Sequence, residues 1–507
     1  MKHALIIAAA SLAAIFIHGY QFAVSDQEIF IPYILKWQNP SLFPTDLLFN
    51  QFSAKASIFY PIYGYVIRFV GIQTAFFISY LLFQLFFFHA IYKLSFTLLR
   101  DKNLAYVSLL LFLLPKFIGG TATLTFDNFF GYRSLGQIFL IYYLSYLIEK
   151  KFKKAAGFAL LSLIFHPLSI LPSLVLMPVF HERFKLLNFF IKYKTFISIL
   201  LIIIFILFLN TRDYSWLSII KSRDDYLFPS QWGIRGWLSL FMYYSIVLIL
   251  TMQLTIKYKK IVTILILILT SLFIFNFIGL EVFQNPALAR LQLVRSISPI
   301  AYIALAISPL FLGGKNALQT ILGTLSIVFL ALNQFEVFTL VLILFLLCHA
   351  LRRGEHIKLM KPLPVYLLIC TVIGVSLFVA YLNNKNSLST INYPKPQDEW
   401  VEVQIWAKNN TNQFQLFLID PSLTGFRIFS ERQISGDIKD GAVVIYDRSY
   451  ARYWQNLINS TKDFDSLTED QLMRINKDEK YQFIVTKKNN LTFSKTFENQ
   501  KYTIYKF

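Results

Sequence analysis

Apolar runs long enough to cross a lipid bilayer recur throughout the first 382 residues, and almost none carries an ionisable side chain at its middle. A bilayer core takes about 20 apolar residues as a straight helix, and fewer where other helices enclose it. On that measure the sequence offers thirteen candidate spans: 3 to 20, 71 to 92, 103 to 118, 134 to 148, 155 to 166, 168 to 180, 195 to 210, 237 to 256, 261 to 280, 292 to 312, 317 to 333, 337 to 351 and 362 to 382. The two short runs around His166-Pro167 read as a hairpin of half-length helices, because proline breaks the helix there. Composition agrees, since 56% of the 507 residues are hydrophobic, 52 are Phe and only 15% are charged. With a mean hydropathy of +0.54, that exceeds what a soluble surface tolerates. Soluble enzymes, disordered chains and solenoids are excluded, and an α-helical polytopic membrane domain is expected over 1–382.

The net charge of +20 would suggest nucleic acid in a soluble chain. Here its distribution reads as topology. With the N-terminus cytoplasmic, one side of the membrane domain collects twenty Lys and Arg against four acids, and the other holds eleven bases and nine acids. This predicts an integral protein of the plasma (inner) membrane with no nucleic-acid partner. The first run reads as a retained span rather than a signal peptide, since Ala8, Ala9 and Ala10 lie inside it and His18-Gly19-Tyr20 is a poor cleavage site. An odd number of spans then places everything after Leu382 outside. Cys348 and Cys370 both lie in apolar runs, where they serve packing and not a disulfide framework.

After Leu382 the composition turns polar, with a linker over 383–397 and an extracytoplasmic α/β domain over 398–507. Glu399 to Lys408, Tyr450 to Asn459 and Leu467 to Ile475 read as helices. Strands are expected at Gln415 to Ile419, Ala442 to Tyr446, Tyr481 to Thr486, Leu491 to Phe497 and Lys501 to Phe507. Three N-x-S/T sequons, at Asn409, Asn459 and Asn490, fall in this module.

Ionisable groups of the membrane domain collect at the outer interface, where the acids are Asp26, Glu28, Asp46, Asp127, Asp213, Asp224, Asp225, Glu281 and Glu336. Asp26 lies between the first apolar span and the apolar stretch Ile29 to Gln38, a place that partly desolvates a carboxylate and suits a base acting on a hydroxyl. Asp127 and Arg133 share the second outer loop. Arg133, Arg235, Arg290 and Arg295 carry the planar fork that matches phosphate oxygens, with simple anchoring to anionic headgroups as the alternative use. Arg290 and Arg295, five residues apart, would diverge by about 140° on one helix. His166-Pro167 reads as a helix break with a capped histidine. No Walker loop, dinucleotide fingerprint, nucleophile elbow or HExxH occurs, so nucleotide binding and common hydrolase chemistry have no signal.

With "SDQEIFIPYILKWQNPSLFPTD" after the first span, "TFDNFFGYRSLGQ" in the second outer loop, short spans around "FHPLSILP" and an exported C-terminal module, the chain resembles the glycosyltransferase C (GT-C) superfamily. These are polytopic enzymes that use lipid-phosphate-linked sugars, and the resemblance is nearest to uncharacterised bacterial members. It implies inverting transfer from a polyprenyl-phosphate-sugar donor to a glycan, lipid or protein acceptor on the outer face. Asp26 matches the first-loop acid and would be the general base, with Glu28 assisting it or binding metal. Asp127 matches the second-loop acid, which in some members holds the acceptor or, with Asp26, a divalent cation such as Mg or Mn. By placement, Arg133, Arg290 and Arg295 would hold the donor phosphate. The loop reads Asp-Gln-Glu where an adjoining Asp-Glu pair is the family pattern, which leaves the cation open. Two other classes compete: a lipid or polysaccharide transporter or flippase, which calls for internal repeats and buried charge, and a non-catalytic scaffold binding a surface polymer. Membrane lipids are partners on every reading.

Overall fold

The computed structural model describes residues 1–50, 57–180, 213–313, 317–350, 374 and 391–507. The chain divides into two compact units. The first comprises Met1–Tyr20, Ile78–Arg212 and Asp225–Ile391, and the second Gln21–Phe77, Asp213–Asp224 and Asn392–Phe507. The span expected at 195 to 210, and that at 362 to 382 apart from residue 374, lie outside the described residues.

Helices dominate the first unit. Among the described residues of the chain, four helical stretches are long and apolar enough to cross a membrane: Ile72–Leu99, Ile234–Thr251, Ile256–Val282 and Leu293–Leu312. Lys2–His18, Pro167–Phe180, Leu318–Ala331 and Phe335–Leu347 are shorter apolar helices. Leu82, Phe86, Phe241, Leu248, Leu267 and Ile274 are exposed, a belt of large side chains that lipid can cover and water cannot cheaply wet. Leu293–Leu312 differs, with 83% of its apolar window buried against 33% for Ile256–Val282. Polar groups on the former are therefore enclosed by protein rather than lipid.

The run 103 to 118 departs from expectation. Only Lys102–Leu110 is helical, started by Asp101, whose side chain accepts from the N–H groups of Asn103 and Leu104. Pro115 disfavours helix at the residue before it, and the chain continues instead into a hairpin of β1 (Phe117–Ile118) and β2 (Thr123–Leu124). At one end Arg100 bonds the Tyr258 hydroxyl near the start of Ile256–Phe277. At the other, Ser239 and Tyr243 of Ile234–Thr251 donate to the Phe117 carbonyl at 2.9 and 3.0 Å. The segment thus traverses the unit partly in irregular backbone, which is tolerated because Leu111, Phe112 and Leu113 are buried in protein. Lys116, fully buried, donates to the Ala331 carbonyl at 3.1 Å and to Asn333 Oδ1 at 2.9 Å, so its ammonium caps the C-terminus of Ala317–Ala331.

His166 ends Phe152–Phe165 and Pro167 opens Pro167–Leu174 at its first position, so the expected break is present. The His166 Nδ1 lies 2.6 Å from Ser169 Oγ.

In the second unit a five-stranded mixed sheet runs in the order β4-β3-β5-β7-β6, with β3 Leu416–Leu418, β4 Gln433–Ile434, β5 Phe483–Thr486, β6 Ser494–Glu498 and β7 Thr503–Lys506. Alternation along the strands serves two cores. Phe417, Phe483 and Val485 face Val403 and Ala407 of the helix Glu399–Asn410, whereas Leu418 and Ile484 face Phe464, Leu467 and Leu472. A capping box formed by Thr468 and Gln471 starts Glu469–Glu479. The strand expected at Ala442 to Tyr446 does not exist: Lys439–Val443 is a 3-10 turn, and β4 takes the place beside β3. Val443, Val444 and Ile445 are apolar because they are buried, and so short a run carries no period that distinguishes strand from turn.

Backbone proximity yields a stability test. A Cβ at Gly323 would stand 1.9 Å from the Phe311 carbonyl oxygen, whereas one at Gly157 meets nothing within 4 Å. Gly323→Ala is expected to cost about 1–3 kcal/mol, and Gly157→Ala to leave stability unchanged or raise it by up to about 1 kcal/mol. Thermal melts of the two purified variants check the contrast, which equal melting points would contradict.

Candidate functional site

A narrow cleft in the first unit is lined by Thr123, Arg133, Gln137, Leu140, Ser169, Arg295, Ser298 and Tyr302. Its walls follow from helix geometry. Arg133, Gln137 and Leu140 stand at i, i+4 and i+7 on Tyr132–Ile148, so one face presents all three, and Ser298 and Tyr302 repeat the four-residue spacing on Ile297–Ile307. The hairpin strand is held against both helices: Gln137 Nε2 donates to the Leu124 carbonyl at 3.1 Å and the Tyr302 hydroxyl to the Thr125 carbonyl at 2.7 Å. Gly136 lets the next hairpin come close, since a Cβ there would sit 2.7 Å from His166 Cβ and 3.0 Å from Ser169 Oγ.

Charge in this cleft is unevenly compensated. Arg133 Nε and Nη2 both donate to Asp127 Oδ2, at 3.1 and 3.0 Å, and the Asp127 side chain is 6% exposed. Arg295 has a neutral partner, donating from Nε to Gln292 Oε1 at 2.6 Å, and among the described residues no carboxylate pairs with it. The cleft therefore carries an excess positive charge in surroundings that favour an anion.

Arg290 and Arg295 do not share a helix as supposed. Pro286–Leu291 ends after Arg290, Gln292 takes a left-handed conformation at φ 45°, and Arg295 lies in the following 3-10 turn Leu293–Ser296. Arg290 is exposed and does not line the cleft.

Asp26 and Glu28 belong to the second unit. Asp26 stands at the N-cap of Gln27–Gln38, half-buried, and its carbonyl accepts from the N–H groups of Ile29 and Phe30. Ala23 and Ser25 before it have φ of 61° and 55°, a left-handed backbone that non-glycine residues avoid. Buried Gln27 holds this turn by accepting from the Ala23 N–H at 2.7 Å. The helix spends its apolar face on protein, with Phe30, Ile31 and Ile34 buried against Phe59–Val70 and the short helix Phe426–Ser430. Burial raises the Glu28 carboxyl above its ordinary value, against a hydrogen bond with Thr424 and the charge of Lys439, and Asp26 raises it further.

Beyond Glu28 lies an ionic cluster that sequence reasoning missed. Arg427, 1% exposed, donates from Nε and Nη2 to Asp46 at 2.7 and 3.2 Å, and from Nη1 and Nη2 to Asp440 at 3.0 and 2.8 Å. Asp437 stands 4.0 Å away. Burial works against the Arg427 charge, and Asp440, Asp46 and Asp437 together override it, holding the guanidinium above its usual range. Burial, with Asp440 beside it, pushes the Asp437 carboxyl up to about 8.

For a divalent cation the donor set is poor. Among the described residues no group of three His, Cys, Asp or Glu is disposed to hold a metal, and Asp127 has a guanidinium as partner.

Residues 398–459 match a protein family described as a domain of unknown function (DUF6798). Among the residues matched are Arg427, Asp437 and Asp440. Comparison with curated proteins finds no match for the chain.

Two outcomes follow. Arg133→Met strands a buried carboxylate and is expected to destabilise the protein by about 3–5 kcal/mol, most of it recovered when Asp127→Asn is added. A single variant that melts like the wild type would contradict the pairing. For Asp437, the folded value of about 8 lies above the unfolded value near 4, so the folded state holds the extra proton between them. Stability should then fall as pH rises through that window and level off above it, and Asp437→Asn should flatten the fall. Denaturation midpoints across the window, with an unchanged slope in the variant as the contrary result, decide it.

Proposed function

We propose that the chain is a membrane glycosyltransferase of GT-C type, moving a sugar from a polyprenyl-phosphate carrier to a glycan, lipid or protein acceptor on the outer face of the plasma membrane. The observation that carries the reading is the cleft in which Arg133 and Arg295 meet in an apolar helical unit, with a carboxylate for the first and none for the second among the described residues. A half-buried guanidinium with no carboxylate partner among the described residues supports the binding of a phosphate that arrives on a lipid. In this scheme the N-terminus is cytoplasmic and the C-terminal module stands outside, as the Lys and Arg distribution suggests.

The transfer breaks the bond from the anomeric carbon to the phosphate oxygen and forms one to the acceptor oxygen. A base takes the proton of the acceptor hydroxyl, which makes that oxygen the nucleophile, the role that the resemblance implies for Asp26. The bonding pair leaves with polyprenyl phosphate, whose growing charge Arg133 and Arg295 receive as fixed hydrogen-bond donors. Asp127 keeps Arg133 oriented, and Glu28 supports the Asp26 turn. Arg290, exposed on its own short helix, is assigned to anionic headgroups.

Membranes containing the protein, supplied with labelled polyprenyl-phosphate sugars, provide the assay. Asp26→Asn should lower transfer by about 100-fold to 10,000-fold with an unchanged melting temperature. Arg295→Gln should lower kcat as well as raise KM, because its charge matters most as phosphate departs. Full transfer by the Asp26 variant removes the mechanism.

A further inference from the structure

The helix Phe59–Val70 of the second unit is apolar on two opposite sides. Phe59, Tyr60, Tyr63, Gly64 and Ile67 are buried on one side, which packs on Gln27–Gln38: the Phe59 and Phe30 ring centroids are 5.7 Å apart, and those of Tyr60 and Tyr33 5.1 Å. On the other side Ile58, Ile62, Tyr65 and Phe69, at i, i+4, i+7 and i+11, form a single exposed stripe, with Phe69 at 70%. Arg68 is the one charged residue of the helix. It flanks the stripe and lies over the ring of Trp37, itself exposed near the end of Gln27–Gln38. A helix that is apolar all round calls for cover on both sides, and the described residues supply it on one.

The course of the chain indicates the other cover. Phe59–Val70 stops at Gly71, whose φ of 73° lies in the left-handed region and whose N–H donates to the Ile67 carbonyl at 3.1 Å. The next residue opens Ile72–Leu99, a helix long and apolar enough to cross a membrane. Exposed apolar side chains continue along it at Ile78, Leu82, Leu85 and Phe86. The stripe therefore ends where the chain enters lipid, and Tyr65, Trp37 and Arg68 are residue types that settle at headgroup level.

We propose that Phe59–Val70 is an in-plane membrane anchor. Ile58, Ile62, Tyr65 and Phe69 enter the boundary between headgroups and acyl chains, and Arg68 takes the oxygens of a lipid phosphate beside them. Gln27–Gln38 rests on the inner side of this anchor, so the Asp26 turn at its start is held at a fixed height over the bilayer. The anchor requires a membrane-bound chain and no transferase activity.

Electron paramagnetic resonance of the full-length protein in phosphatidylcholine–phosphatidylglycerol vesicles tests this. In a background carrying Cys348→Ser and Cys370→Ser, a nitroxide is attached singly at Ile62→Cys, Tyr65→Cys and Phe69→Cys, all exposed positions, with Phe86→Cys as the lipid reference and Gln500→Cys as the aqueous one. Each stripe site should collide more with oxygen than with a water-soluble nickel chelate. All three should report one depth, about 5–10 Å into the boundary and shallower than Phe86. Nickel access equal to that at Gln500 overturns the proposal. So does low collision with both reagents, which means that protein covers the stripe, and so does a depth that increases steadily from residue 62 to 69, which would make the helix part of the span.

Discussion

An ion enclosed among apolar helices must have a partner, because neither lipid nor packed side chains can solvate it. The first unit is arranged around that constraint. Lys116 caps the carbonyl end of a helix, Asp127 clamps Arg133, and Gln137 and Tyr302 bind the carbonyls of the hairpin between them. Arg295, whose described partner is an amide, and the oxygen of Gln137 are among the groups outside this internal closure. Both residues line one cleft.

The second unit meets the same constraint in another way. Three carboxylates gather about one buried guanidinium, so the cluster is short of positive charge, and burial raises the Asp437 carboxyl. One bidentate pair of hydrogen bonds joins Asp46 of the first long loop to Arg427 of the C-terminal module. That explains why the compact unit includes Gln21–Phe77 as well as the module after residue 391. A loop so long carries its own helices, packed on the module, instead of lying as loose chain.

Much of this was legible in the sequence. Hydropathy located the long apolar helices, Pro167 located a break, and alternating residues located four of the five sheet strands to within a few positions. The helical face holding Arg133 and Gln137 was readable from their four-residue spacing, although nothing local revealed that one amide oxygen would lack a partner. Other features left no trace. Asp46 and Arg427 are 381 residues apart, and no spacing rule reaches that far. The run Ala442 to Tyr446 misleads because burial, not pleating, makes it apolar, and 103 to 118 misleads because enclosed irregular backbone is as apolar as a helix.

The central claim is that the Arg133 and Arg295 cleft receives the phosphoryl group of a lipid carrier. A cryo-electron microscopy structure of the full chain with a short-chain polyprenyl phosphate tests it most directly. Phosphate density within hydrogen-bonding distance of both guanidiniums is the predicted result. Density for the carrier headgroup elsewhere, with the cleft unchanged and filled only by protein, would contradict it.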